Sequence, residues 1–277
     1  MMKIAVAGMG LIGGSLARAF AGLEETTVYG IDRDEVTMAR ARLEGAIHHE
    51  LTAENIGECD YVFVALYPAA TEQFLKEYAP FISKTATVID CGGTKRGICK
   101  TGFKMAKKYG FCFMGGHPMA GTHFSGFKYS RASLFSNAAM ILVPEKNETI
   151  DVLQRVKNLL VGIGFKSVTI SNAEEHDRII AYTSQLAHVV SNAYVKSPNA
   201  RVHKGFSAGS YRDLTRVAKL NPRMWAELFM ENSDNITFEI DNIIAELQKY
   251  SDAIKEGDTE ALEQLLAEGT KIKESIG

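Results

Sequence analysis

Apolar and polar positions change rhythm repeatedly along the first 170 residues of this 277-residue chain. Short apolar runs at Lys3–Gly8, Thr27–Asp32, Tyr61–Leu66, Thr87–Asp90, Phe111–Gly116, Ala138–Pro144 and Ser167–Ser171 alternate with segments of helical periodicity, among them 34–44, 71–79 and 149–162. Several runs are apolar throughout instead of alternating, the pattern of strands covered on both faces in a mostly parallel sheet. The order predicts a doubly wound α/β domain over residues 1–171.

Beyond Ser171 strand signals stop, and an all-helical domain is expected over 172–277. Asn172, followed by acidic residues, opens one helix running to Val195. After a glycine-rich break at 204–210, a single very long helix is expected from Pro222, with an apolar stripe from Trp225 to Ile254. At 1.5 Å per residue it would be roughly 50 Å long, more than a domain of about 100 residues is wide. The excess stripe calls for a second copy of the chain.

Composition narrows the class without naming an activity. With 46% hydrophobic and 23% charged residues the chain is an ordinary globular one, and a net charge of −2 gives no broad pull toward nucleic acid or an anionic membrane. No run of eighteen apolar residues offers a membrane span. The apolar start is broken by four glycines and lacks a cleavage-like site, so it is not read as a secretory signal. Cys59, Cys91, Cys99 and Cys112 have neither CxxC spacing nor partnered histidines. Free thiols in a reducing cytoplasm and no bound metal are expected.

The sequence GMGLIG, Gly8 to Gly13, follows the first strand and opens a helix. A lone GxGxxG says little, but here a strand precedes it, a helix follows, and Asp32 ends the next strand nineteen residues on. Gly8 makes the tight turn, Gly10 admits a pyrophosphate, and Gly13 lets helix and strand pack closely. The amides of Leu11 and Ile12 at the helix N-terminus suit phosphate oxygens. Asp32 can accept both ribose hydroxyls of NAD and repels a 2′-phosphate, whereas Arg33 beside it could pair with that phosphate or stack on adenine. NAD is expected over NADP. Leu66 and Gly93, at the ends of later strands, should border the cofactor. The domain is therefore read as Rossmann-type.

GGHPMAG, Gly115 to Gly121, is expected as a loop after a strand, facing the same crevice. His117 is then either turn filler or the base that a dehydrogenase needs beside its substrate hydroxyl. Thr94, in CGGTKRG, offers a hydroxyl after another strand. Arg212 and Arg216 share a helix face, as a solvated surface or as a carboxylate clamp. His48, His49, His176 and His203 look like surface or helix-end residues and are assigned nothing.

GMGLIG, GGTKRG, GGHPMAGTHFSGF, SQLAH and YRDLTRVAKLNPRMW, in this order, resemble the prephenate dehydrogenase family over nearly the whole chain. The resemblance implies a homodimer formed through the helical domain. The reaction it implies is oxidative decarboxylation of prephenate with NAD to 4-hydroxyphenylpyruvate, in cytoplasmic tyrosine biosynthesis, with no metal. It gives Arg216 one substrate carboxylate. Thr94 stands where the family commonly has a serine beside the substrate hydroxyl and His117, and Ser125 and His188 line the pocket. His188 could equally be a packed helix histidine. Many relatives have an acid at His123 and a histidine at Gln185, both near the substrate side chain. Those departures leave arogenate dehydrogenase or a related 2-hydroxyacid dehydrogenase as the alternative. A non-catalytic redox-sensing nucleotide-binding protein is a more distant one, having no use for His117 and Arg216. No room is seen for a fused chorismate mutase or a C-terminal regulatory domain.

Overall fold

A computed structural model describes residues 1–122, 124–146 and 148–277. Eight strands form one sheet: β1 (Met2–Ala7), β2 (Thr26–Ile31), β3 (His49–Glu50), β4 (Tyr61–Val64), β5 (Thr87–Asp90), β6 (Cys112–Pro118), β7 (Ala139–Pro144) and β8 (Ser167–Ile170). Their spatial order is β3-β2-β1-β4-β5-β6-β7-β8, and every neighbouring pair is parallel except β6 with β7. The first six strands reproduce the doubly wound order, whose reversal between β1 and β4 opens a crevice at the strand carboxyl ends.

Helices α1 (Leu11–Ala21), α2 (Glu35–Leu43), α3 (Pro68–Tyr78), α4 (Arg96–Tyr109) and α5 (Ile150–Gly162) accompany the sheet. Alternate residues of each strand feed different cores, as the pleat requires. Ile4, Val6, Phe63, Ile89 and Met114 pack with Leu16, Phe20 and Leu160. Ala5, Ala7, Val62, Val64, Val88 and Phe113 pack with Leu75 and Ala106. Covering on both faces explains why these runs read as apolar throughout.

The remaining helices are α6 (Ala173–Ile180), α7 (Ala187–Tyr194), α8 (Gly209–Thr215), α9 (Pro222–Glu231), α10 (Ser233–Glu256) and α11 (Thr259–Ile276). Asn172 caps α6 by accepting from the Glu175 N–H at 2.9 Å. The helix expected to run on to Val195 widens into a π-helical turn over Ala181–Leu186 before α7. The single long helix expected from Pro222 is in fact two, α9 and α10, broken at Asn232. The break has a chemical reason. Asn232 is fully buried, and its amide donates to the Asp177 carbonyl and to Gln185 Oε1, both at 2.8 Å. Its own oxygen accepts from Arg96 at 3.0 Å and from Asn235 at 2.8 Å. Residue 232 leaves the helical path to fill these bonds, and α10 is about 36 Å long.

The expected apolar stripe is correspondingly divided. Ile236 turns inward and is buried, whereas Phe238, Ile244, Leu247 and Ile254 are between 57% and 64% exposed. Among the described residues no helix is long and apolar enough to cross a membrane.

Beneath the crevice lies a fully buried ion pair, Lys95 Nζ to Asp90 Oδ2 at 2.6 Å. Asp90 also accepts from the N–H groups of Gly92 at 2.8 Å and Gly116 at 3.0 Å, tying the β5–α4 loop to β6. Lys95→Met leaves that carboxylate buried without its cation and should cost about 3–5 kcal/mol. Urea unfolding of the variant against the native protein checks this.

Candidate active site

The glycine turn between β1 and α1 is shaped by contacts that only glycine permits. Gly8 has φ +89°, and a Cβ there would lie 2.4 Å from the Ala65 carbonyl oxygen and 2.8 Å from the Leu66 side chain. A Cβ on Gly13 would lie 1.8 Å from the Gly8 oxygen. A Cβ on Gly10, the N-cap of α1, would meet nothing within 4 Å. The turn is thus tight where helix meets strand and open at Gly10, where the N–H groups of Leu11 and Ile12 lack intrahelical partners. Asp32, just past β2, binds this turn: its carboxylate accepts from Met9 N–H at 2.7 Å and from Asp34 N–H at 3.0 Å. Arg33 beside it is exposed. Leu66 lies against Gly8, and Gly93 faces Leu228 of α9. These residues fit a dinucleotide, since a concave turn with free amides and an adjacent carboxylate is what a pyrophosphate and a ribose require.

His117 is not in a loop, as expected, but inside β6, where it pairs with Ile141 of β7. The glycines before it explain how a strand runs here. A Cβ on Gly116 would lie 2.4 Å from the Asp90 carbonyl oxygen, so β6 passes too close to β5 for any side chain. His117 Nδ1 lies 2.9 Å from His176 Nε2, and His176 Nδ1 lies 2.7 Å from Asp177 Oδ1. His176 is therefore no surface residue: it is 2% exposed, and Asp177 is fully buried. Burial, with Lys95 and His176 nearby, holds the His117 ring well below the ordinary histidine range.

Asp177 does more than meet His176. Its two oxygens accept the N–H groups of Lys95 at 2.7 Å and Arg96 at 2.9 Å, capping α4 from a neighbouring helix. Burial pulls its carboxyl upward, but the bonds from His176, Arg96 and Lys95 outweigh that and hold it below the usual range. Arg96 in turn pairs with Asp234 of α10. Asp234 is held at about 2, chiefly by this hydrogen bond.

Thr94 is buried and donates its hydroxyl hydrogen to Glu231 of α9. Glu231 as a residue is exposed, at the end of α9. Burial of its carboxyl end raises it above the usual range against the opposing Thr94 bond, and Glu227, Asp177 and Glu72 add to the rise. His188 and Arg216 are brought together. The His188 ring packs on Trp225 with centroids 4.0 Å apart, and its Nδ1 lies 3.1 Å from the Val217 carbonyl oxygen. Burial lowers His188, and the Arg216 charge adds to the effect. Arg212 and Arg216 are both exposed. Gln185 is buried, bonded to the Leu228 carbonyl at 3.3 Å and to Asn232. Ser125 is exposed in the loop after β6, and His123 lies outside the described residues.

Residues 16–169 match the family model for the prephenate dehydrogenase nucleotide-binding domain, and residues 172–268 that for the prephenate dehydrogenase dimerization domain. The chain belongs to the prephenate dehydrogenase family. Among family members, prephenate dehydrogenase of Lactococcus lactis subsp. cremoris is 31% identical, the alignment covering 100% of this chain and 78% of that one. Cyclohexadienyl dehydrogenase of Zymomonas mobilis is 30% identical, with 98% and 94% covered. A crystal structure of prephenate dehydrogenase from A. aeolicus in complex with hydroxyphenyl propionate and NAD+ superposes with a TM-score of 0.85, at 27% identity and with 100% and 99% covered. The family match begins at Leu16, past the glycine turn, whose fit to a dinucleotide rests on the geometry above.

That geometry separates two glycine substitutions. Gly10→Val should leave the melting temperature near native while weakening NAD binding at least about tenfold, by placing methyl groups where a phosphate approaches. Gly13→Ala should lower the melting temperature itself, because its Cβ collides with backbone. Thermal melts with and without NAD, and fluorescence titration with NADH, check both.

Proposed function

We propose that this chain catalyses the NAD-dependent oxidative decarboxylation of prephenate to 4-hydroxyphenylpyruvate in tyrosine biosynthesis, with His117 as the base. The carrying observation is that β6 fixes His117 while His176 engages its Nδ1, leaving Nε2 for a substrate hydroxyl. Residues 1–171 hold the cofactor through Gly8, Gly10, Leu11, Ile12, Gly13, Asp32, Arg33, Leu66 and Gly93. Residues 172–277 complete the substrate site and the subunit contact. NAD supplies the hydride acceptor when bound.

His117 Nε2 draws the proton from the ring hydroxyl as the hydride leaves the same carbon, and that carbon becomes a carbonyl. The ring carboxylate then departs as carbon dioxide. Its electron pair enters the ring, and the phenolate oxygen so formed takes the proton back from His117 to give the phenol of the product. With substrate bound, Thr94 can turn its hydroxyl hydrogen from Glu231 to the substrate hydroxyl oxygen, whose own hydrogen goes to His117. Arg216 pairs with a substrate carboxylate and His188 lies beside it, while Ser125 borders the entrance. Gln185 acts from behind, through Asn232. Arogenate is the comparison substrate.

His117→Asn should lower kcat about 100- to 10,000-fold, the usual scale of a general base, with little change in KM. Arg216→Ala should act mainly on KM. Protonation of His117 removes the base, and its affinity for a proton is depressed. The ascending limb of kcat/KM should therefore lie below the ordinary histidine range, not within it, and vanish in His117→Asn. NADH formation with prephenate and arogenate across pH measures all three, and near-native kcat in His117→Asn would return the residue to a structural part.

The chain acts as a homodimer in the cytoplasm on this reading, with its four cysteines as free thiols. The exposed row Ile244, Leu247 and Ile254 on α10 suits a second copy, because exposed apolar residues repeated along one helix face mark an association face. Sedimentation should give a dimer, and Leu247→Lys combined with Ile254→Lys should give monomers.

A further inference from the structure

Three groups stand in line behind the reacting position: His117 in β6, and His176 and Asp177 in α6. The spacings are 2.9 Å and 2.7 Å. Only His117 has a role in the reaction as described so far. We propose that Asp177 and His176 form a relay that sets the tautomer of His117, keeping its Nε2 free of hydrogen so that it can accept the substrate proton. This deepens the proposed function and rests on its reading of His117 as the base.

The assignment follows from the acceptor end. Asp177 takes backbone N–H bonds at both oxygens, from Lys95 and Arg96, and a carboxylate so bound only accepts. His176 Nδ1 must then be the donor to Asp177 Oδ1. A neutral imidazole carries one N–H, so His176 Nε2 presents a lone pair. His117 Nδ1, 2.9 Å away, must carry hydrogen, since two lone pairs would otherwise face each other. One nitrogen remains on His117, Nε2, and it is bare.

The reversed assignment fails at the first link, because a hydrogen-free His176 Nδ1 would set a lone pair against a carboxylate. A doubly protonated His176 would donate to His117 Nδ1 and push the single hydrogen of His117 onto Nε2, closing the base. The relay also bears on the charged state. When His117 accepts a proton, its Nδ1–H still donates to His176, and the Asp177 charge lies two bonds behind. That charge opposes the nearby Lys95 ammonium without any proton reaching Asp177. His176 and Asp177 are thus positioning residues that act through His117.

The full-length protein, labelled with nitrogen-15 histidine, tests this directly, the His117 signals being assigned by their loss in His117→Asn. Near neutral pH the His117 Nδ1 should show the signature of a protonated ring nitrogen and Nε2 that of a bare one. Hydrogen on Nε2 would overturn the relay. In turnover, His176→Leu should lower kcat about 100-fold or more, as loss of the correct tautomer does, with KM for prephenate changed less than about threefold. In His176→Gln, the amide oxygen can accept from His117 and the amide nitrogen can donate to Asp177. It should recover at least about tenfold of the loss. Equal losses in both variants, or near-native kcat in the leucine variant while His117→Asn is crippled, would overturn the proposal. If the leucine variant does not fold, the nitrogen signals and the glutamine variant still decide. Near-native kcat in His117→Asn would refute the underlying reading of His117, a separate outcome.

Discussion

The carboxylate of Asp177 is the constraint on which the site depends. It is fully buried, and a buried charge persists only where enough donors surround it. Those donors come from different parts of the chain. The amides of Lys95 and Arg96, where α4 begins, belong to the sheet domain, the imidazole of His176 belongs to α6, and Arg96 reaches across to Asp234 of α10. One charge therefore caps a helix, orients a histidine and seats the helical domain on the sheet. No member of this set can shift without leaving that charge short of a partner.

A second buried pair supports the first. Lys95 gives its amide to Asp177 and its ammonium to Asp90, and Asp90 holds Gly92 and Gly116. The loop bearing Thr94 and the strand bearing His117 are thereby fixed to a single carboxylate. Close passage of β6 over β5 makes this feasible, and the bare Gly116 makes the close passage feasible. Two groups proposed to meet one substrate hydroxyl thus share a foundation.

Much of this was legible in the chain. Uninterrupted apolar runs identified the doubly covered strands, and GMGLIG identified the tight turn between β1 and α1, because both patterns are local. The relay was not legible, because its links lie 59 residues apart. A signal did exist. His176, Asp177, Ile180, Ala181 and Gln185 fall at helical spacing on the buried face of their segment. Two titratable residues and an amide on a buried face imply polar partners inside, which a reading of His176 as a helix-end residue overlooked. The break at Asn232 escaped notice for a related reason. The apolar stripe continues through it, and only tertiary hydrogen bonds make the interruption favourable.

The placement of His117 within a strand, and not after it, bears on how such an enzyme can change. Its backbone is locked by ladder bonds, so the aim of the ring is independent of the exposed segment that follows Pro118. That segment can accept substitutions, and so adapt to substrates of different shape, while the nitrogen proposed to take the proton stays where it is. Selection for a new specificity and preservation of the chemistry then fall on separate stretches of chain.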